Sequence, residues 1–343
     1  MSLNVFKYEE PFSLESGEEL KYFELGYSTM GTPNSDKSNV VWICHALTAN
    51  SNPEEWWPGL VGNGKVFDPK SDYIICVNML SSCYGSTNPS SINPETSAPY
   101  GRDFPLITIR DMVRAMDLLR QDLGIESIEM GAGGSMGGQQ LLEWAILKPD
   151  LFRNLFVIGT NAVHSPWGIA FNEAQRMALD ADPTLWDTSE NAGKKGLQAA
   201  RAVAMLSYRN YTAFWDTQQD DPEKITSFRA SSYQQYQGEK LSKRFNAQSY
   251  YFLSKSMDTH NVGRNRGSVS EALSKIKART LVIGINTDFL FPPQEQKRIA
   301  SGIPHSEYHE ISTPYGHDGF LIEWDLLDSL ISSFKLKKSE SIN

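Results

Sequence analysis

Five short apolar runs, at residues 40–44, 73–77, 128–130, 155–158 and 280–285, constrain this chain more than any other feature of its sequence. They are flanked by Asn, Gly, Ser or Lys and lack the alternation of a half-exposed strand, so they read as strands covered on both faces. Helix-period segments lie between them. In 109–123, Ile109, Met112, Val113, Met116 and Leu119 form one stripe, and a second such segment spans 137–147. Strand and helix alternate, which predicts an α/β fold: a mostly parallel sheet flanked by helices. The alternation stops after Ala162. Residues 163–270 show helical stretches at 168–179, 196–208 and 233–245 and no buried-strand run, predicting a helical lid inserted into a core made of 1–162 and 271–343. Residues 263–270 read as a polar exit loop, and 335–343 as a frayed tail.

Composition narrows the function classes. A net charge of -9 argues against a nucleic-acid partner, which needs clustered Lys and Arg to displace counterions from phosphates. Cys44, Cys76 and Cys83 form no C-x-x-C pair and are too irregular for a disulfide scaffold or a metal site, so each reads as a small core hydrophobe. Lys7, Glu9 and Glu10 interrupt any apolar signal core, and no run approaches the ~18 residues of a membrane span. A soluble cytoplasmic protein is the expectation.

The chemistry centres on Gly133-Gly134-Ser135-Met136-Gly137, between the strand ending at Met130 and the helix opening at Gly137. This is a G-x-S-x-G in the strand-turn-helix setting of a nucleophile elbow, where small neighbours let a strained serine sit between closely packed elements. The competing reading, a phosphate-binding loop, lacks support: neither G-x-x-x-x-G-K-[ST] nor G-x-G-x-x-G is present. Partners follow in the matching order. Asp288 comes just after the run at 280–285, and His317 follows the strand-like Tyr308-His309-Glu310-Ile311. Ser, Asp, His is the chain order of α/β-hydrolases. In that arrangement His317 takes and returns the Ser135 proton, and Asp288 fixes the imidazole tautomer. The backbone N–H of Met136 at the helix N-terminus and that of Leu47, in His45-Ala46-Leu47-Thr48 after the first run, would form the oxyanion hole. The His45 side chain is expected to support that loop rather than act as a base. His164, His260, His305 and His309 are expected in core or surface roles.

Several segments together resemble the homoserine O-acetyltransferase family of α/β-hydrolase-fold enzymes: His45-Ala46-Leu47-Thr48-Ala49, Trp56-Trp57-Pro58-Gly59-Leu60-Val61-Gly62, Ser90-Ser91-Ile92-Asn93-Pro94, Tyr100-Gly101-Arg102-Asp103-Phe104-Pro105, Thr108-Ile109-Arg110-Asp111-Met112-Val113, the Ser135 motif and Gly316-His317-Asp318-Gly319-Phe320-Leu321. The resemblance implies ping-pong transfer of an acetyl group from acetyl-CoA to the hydroxyl of L-homoserine through acyl-Ser135, an early step towards methionine. Acetyl-CoA would be a co-substrate, with no permanently bound cofactor or metal, and the protein would be a homodimer. It also implies that Arg201 grips the homoserine carboxylate, Tyr208 lines the substrate pocket and Asp318 receives the ammonium. Two positions depart from the family pattern, Asn88 and Ser97, each where glycine is usual, near loops expected by the active site. An ester or thioester hydrolase with the same triad is the main rival, and a catalytically silent binding module the other. A succinyl donor or a serine acceptor would use the same residues, because one methylene is worth only ~1–3 kcal/mol.

Overall fold

The computed structural model describes residues 2–340. Eight strands build the central sheet: β1 (Asn4–Tyr8), β2 (Phe23–Met30), β3 (Val40–Cys44), β4 (Tyr73–Val77), β5 (Ile128–Gly134), β6 (Phe152–Ile158), β7 (Arg279–Ile285) and β8 (Ser306–Ile311). In space they run β1-β2-β4-β3-β5-β6-β7-β8. The pairs β1–β2 and β2–β4 are antiparallel, and all the others are parallel. The five apolar runs are therefore β3 to β7, and every residue of β3 is buried as a doubly covered strand requires.

The reading of the sequence missed β1 and β2. Their burial alternates because β1 is an edge strand and the ribbon is covered mainly on one side, so no continuous apolar run marks it. β8 lies on the opposite edge and is half-exposed for most of its length.

Helices cover both faces. On one, α1 (Ile109–Asp122) opens with a reciprocal capping box between Thr108 and Asp111 and buries Met112, Val113, Met116 and Leu119. Beside it, α2 (Met136–Leu147) presents Trp144 edge-on to Trp42 of β3, with ring centroids 5.0 Å apart.

Between β6 and β7 the chain forms α3 (Pro166–Asp180), α4 (Lys194–Tyr208), α5 (Tyr211–Gln218), α6 (Arg229–Ser242) and α7 (Ala247–Asp258), followed by the short helix Val269–Leu273. Ser165 caps α3, with Pro166 at its first position, and Asn246 caps α7. This helical segment hangs from a paired stem. Val163 and Asn261 form an antiparallel bridge, His164 N–H donates to His260 O (2.8 Å), and Val262 N–H donates to Ala162 O (3.0 Å). Beyond the stem, the loop at 263–270 is held by charge: Arg264 bonds Glu15 (2.8 Å) and Arg266 bonds Glu143 (2.9 Å). Arg110 reaches both of those carboxylates as well, which ties the loop to α1 and α2.

On the other face, α8 (Trp324–Glu340) buries Leu327, Ile331 and Phe334 in the cluster that holds Trp57, Phe67 and Phe156. The frayed tail expected from 335 is thus helical to 340, because the buried stripe of α8 carries the chain on and Lys335 donates to Val66 O (2.9 Å). The last three positions of that expectation, 341–343, lie outside the described residues.

Candidate active site

Ser135 sits at the tip of the turn from β5 to α2 with φ 56° and ψ -126°, a conformation costly for a residue with a side chain. The turn is forced by contact. A Cβ on Gly137 would lie 2.0 Å from the Cys44 carbonyl oxygen, and one on Gly133 would lie 2.7 Å from the Gly137 backbone. Only glycine lets β3, β5 and α2 approach so closely. Thr160 Oγ1 donates to Ser135 O (2.7 Å), holding the turn from the end of β6.

The expected partners meet there. His317 Nε2 is 2.9 Å from Ser135 Oγ, and His317 Nδ1 is 2.6 Å from Asp288 Oδ2. Asp288 Oδ1 accepts the backbone N–H groups of Leu290 (3.0 Å) and Phe291 (2.8 Å), so its carboxylate is fixed from behind. The imidazole is walled by the rings of Phe291, Phe320 and Tyr208, at centroid distances of 5.0, 5.2 and 5.7 Å. All three side chains are buried: Ser135 is 6%, His317 3% and Asp288 2% exposed. This arrangement can pass the serine proton to an oriented imidazole.

The N–H groups of Leu47 and Met136 have no hydrogen-bond partner among the described residues. Met136 opens α2, and Leu47 lines the cavity above Ser135, so both donors remain available for an oxyanion. His45 points away from this chemistry. Its Nδ1–H donates to Ala46 O (2.8 Å), and burial pushes its pKa down to about 4, so the ring is a neutral brace for the loop.

A cavity of about 280 Å³ opens over Ser135, lined by Leu47, Ser135, Arg201, Tyr208, His317 and Asp318 among others. α4 delivers Arg201 and Tyr208, one on each of two turns, with the guanidinium carbon 5.2 Å over the tyrosine ring. Arg201 Nε is buried without a hydrogen-bond partner, which favours an anionic ligand at that point. Asp318, on the same cavity, is buried, and burial pushes its carboxyl above the usual range while Arg209 and Arg201 oppose the rise. Arg209 makes the direct contact, Nε to Asp318 Oδ2 at 2.8 Å, and no local sequence signal pointed to it.

Asn88 and Ser97 are not among the residues that line this cavity. Ser97 has φ 57° in an exposed hairpin loop, which explains why glycine suits that position. Asn88 uses its side chain to cap its own turn, accepting from Ser90 N–H (2.9 Å) and donating to Ser86 O (2.8 Å).

A family model described as the alpha/beta hydrolase fold matches residues 39–323. Homoserine O-acetyltransferase from Cyclobacterium marinum is 49% identical over 339 residues, covering 99% of this chain and 97% of the relative. The crystal structure of homoserine O-acetyltransferase from Bacillus anthracis superimposes with a TM-score of 0.90 at 24% identity, covering 97% of each chain. That of esterase E22 gives 0.88, also at 24% identity, over 97% of this chain and 99% of the other. The two crystal structures share the fold, and the relative at 49% identity adds the narrower kinship: this chain belongs to the homoserine O-acetyltransferase family of α/β-hydrolase-fold proteins.

Proposed function

We propose that this protein transfers an acetyl group from acetyl-CoA to the hydroxyl of L-homoserine by a ping-pong cycle through acyl-Ser135. The observation that carries the reading is a pair of opposite charges lining the same small cavity as the nucleophile: Arg201, with a buried unpartnered Nε, and the Asp318 carboxylate. A zwitterionic amino acid needs opposite charges at its two ends, and a simple ester does not.

In the first half-reaction His317 takes the Ser135 proton as Oγ attacks the thioester carbonyl, and Asp288 stabilises the imidazolium. The tetrahedral oxyanion faces the Leu47 and Met136 N–H groups, and each such donor is worth roughly 3 kcal/mol of barrier. Collapse expels the CoA thiolate, which receives the proton from His317. In the second half-reaction the homoserine hydroxyl gives its proton to His317, attacks the ester, and Ser135 leaves with that proton restored. Arg201 on the carboxylate and Asp318 on the ammonium hold the hydroxyl against the acyl group, which lets a dilute acceptor compete with ~55 M water.

The same reading includes a cytoplasmic homodimer that draws on dissolved acyl-CoA. Leu206, Tyr211, Trp215, Phe228 and Tyr236 are exposed apolar side chains on the helical segment, which supports contact with a second copy there. Light scattering of the purified protein tests that part.

The activity test pairs acetyl-CoA or succinyl-CoA with L-homoserine or L-serine and follows CoA release. Acetyl-CoA with homoserine should be fastest, and Ser135→Ala should abolish the covalent acyl adduct seen by mass spectrometry. CoA release that ignores the amino acid would instead identify a thioester hydrolase.

A further inference from the structure

The ion pair between Arg209 and Asp318 has no part in the steps above, yet its construction is specific. Arg209 follows the last residue of α4 and is extended (φ -106°, ψ 150°), so the chain turns out of the helix there, and its N–H still donates to Met205 O (3.2 Å). That turn lies flat on the loop carrying His317. A Cβ on Gly316 would meet Tyr208 O at 2.9 Å and Asn210 N at 3.0 Å, and Gly316 N–H donates to Thr287 Oγ1 (3.1 Å) beside Asp288. The Asn210 amide reaches the Thr287 carbonyl (3.5 Å) on the same side. Arg209 Nε is thereby delivered 2.8 Å from Asp318 Oδ2 as an ion pair, without the alignment of a hydrogen bond. An ionised carboxylate has lone pairs on both oxygens, so one can be held by Arg209 while the other faces a ligand cation.

Resting on the amino-acid reading of the pocket, we propose that Arg209 is a positioning residue: by holding Asp318 charged and aimed, it sets the preference for acceptors that carry an ammonium group over those that do not. The electrostatics require such a partner. Asp318 is 9% exposed, Asp288 adds a like charge nearby, and Arg209, Arg201 and His317 are the groups that favour its ionised form. Without Arg209 the buried carboxylate loses its contact cation and takes up a proton more readily, and a neutral acid cannot ion-pair an ammonium.

The probe is a pair of acceptors, L-homoserine and 4-hydroxybutanoate, which differ only in the amine, each assayed with acetyl-CoA. In Arg209→Met the ratio of kcat/KM for homoserine to that for 4-hydroxybutanoate should fall about tenfold, as expected when the group that holds a charge-recognising carboxylate is lost. Arg209→Lys should recover part of the ratio. A variant that slows both acceptors equally, leaving the ratio intact, would assign Arg209 a purely structural role and overturn the proposal. If the wild type itself shows no preference for homoserine, or releases CoA without an acceptor, the amino-acid reading of the pocket fails and this inference falls with it. A wild-type preference that persists undiminished in Arg209→Met overturns this inference alone.

Discussion

Three histidines that do no chemistry should make the fold sensitive to acid. His45, His164 and His260 are buried, and burial pushes their pKa values down to about 4, 3 and 3 from an ordinary 6.5. Between 6.5 and those values the unfolded chain binds protons that the folded chain refuses, so stability is complete above about pH 6.5 and is lost as pH falls through that window. Each histidine contributes a slope of about 1.4 kcal/mol per pH unit, so going from pH 7 to pH 5 removes about 2 kcal/mol per ring. Other groups titrate too. Asp258 and Asp318 are raised above the usual carboxylate range and act in the opposite sense near the acid end. Comparison of one variant with the wild type removes those common terms. His260 Nε2–H donates to Asn161 O (3.0 Å), and Gln in its place offers a similar donor without a titrating ring. Urea unfolding followed by tryptophan fluorescence at pH 7 and pH 5 should show His260→Gln losing about 2 kcal/mol less than the wild type over that interval. Equal losses in the two proteins would refute the reasoning, because they would mean that His260 takes up its proton without unfolding.

Asp288→Asn should leave the fold intact but cut kcat by about 10³-fold or more, because the amide no longer fixes the His317 tautomer or balances the imidazolium; acylation rates from stopped-flow CoA release check this. Gly137→Ala places a methyl 2.0 Å from the Cys44 carbonyl and should lower stability by ~3 kcal/mol or prevent folding, read as a shift in melting temperature. Arg201→Ala should raise the homoserine KM about tenfold or more while slowing acylation of Ser135 far less, measured by separating the two half-reactions.

The sheet was legible because β3 to β7 are covered on both faces, and nothing but continuous apolar residues satisfies that environment. The triad was legible for a different reason: the elbow imposes glycine at Gly133 and Gly137, and the fold brings Asp288 and His317 to strand ends in a set order. What escaped was long-range pairing of charge. Arg264 and Arg266 read as loop residues, since their carboxylates, Glu15 and Glu143, lie in distant elements. Arg209 sits at a helix end where a solvated arginine is commonplace, and only the docking of that end on Gly316 turns it towards Asp318. The histidines were placed only coarsely, His164 and His260 as core or surface residues, because a ring wedged between amides, as His164 is between Gln139 and Asn172, leaves no periodic trace.

The stem at Ala162 and Val262 has a consequence for how such proteins diversify. Because the segment begins and ends at hydrogen-bonded neighbours, its helices can change in length without moving the sheet, so long as the turn at 208–210 that packs on Gly316 and bonds Thr287 is kept. Arg201 and Tyr208, which line the cavity over Ser135, are carried by that portion. Selection can therefore rewrite what the nucleophile is offered while the machinery that makes it nucleophilic stays as it is.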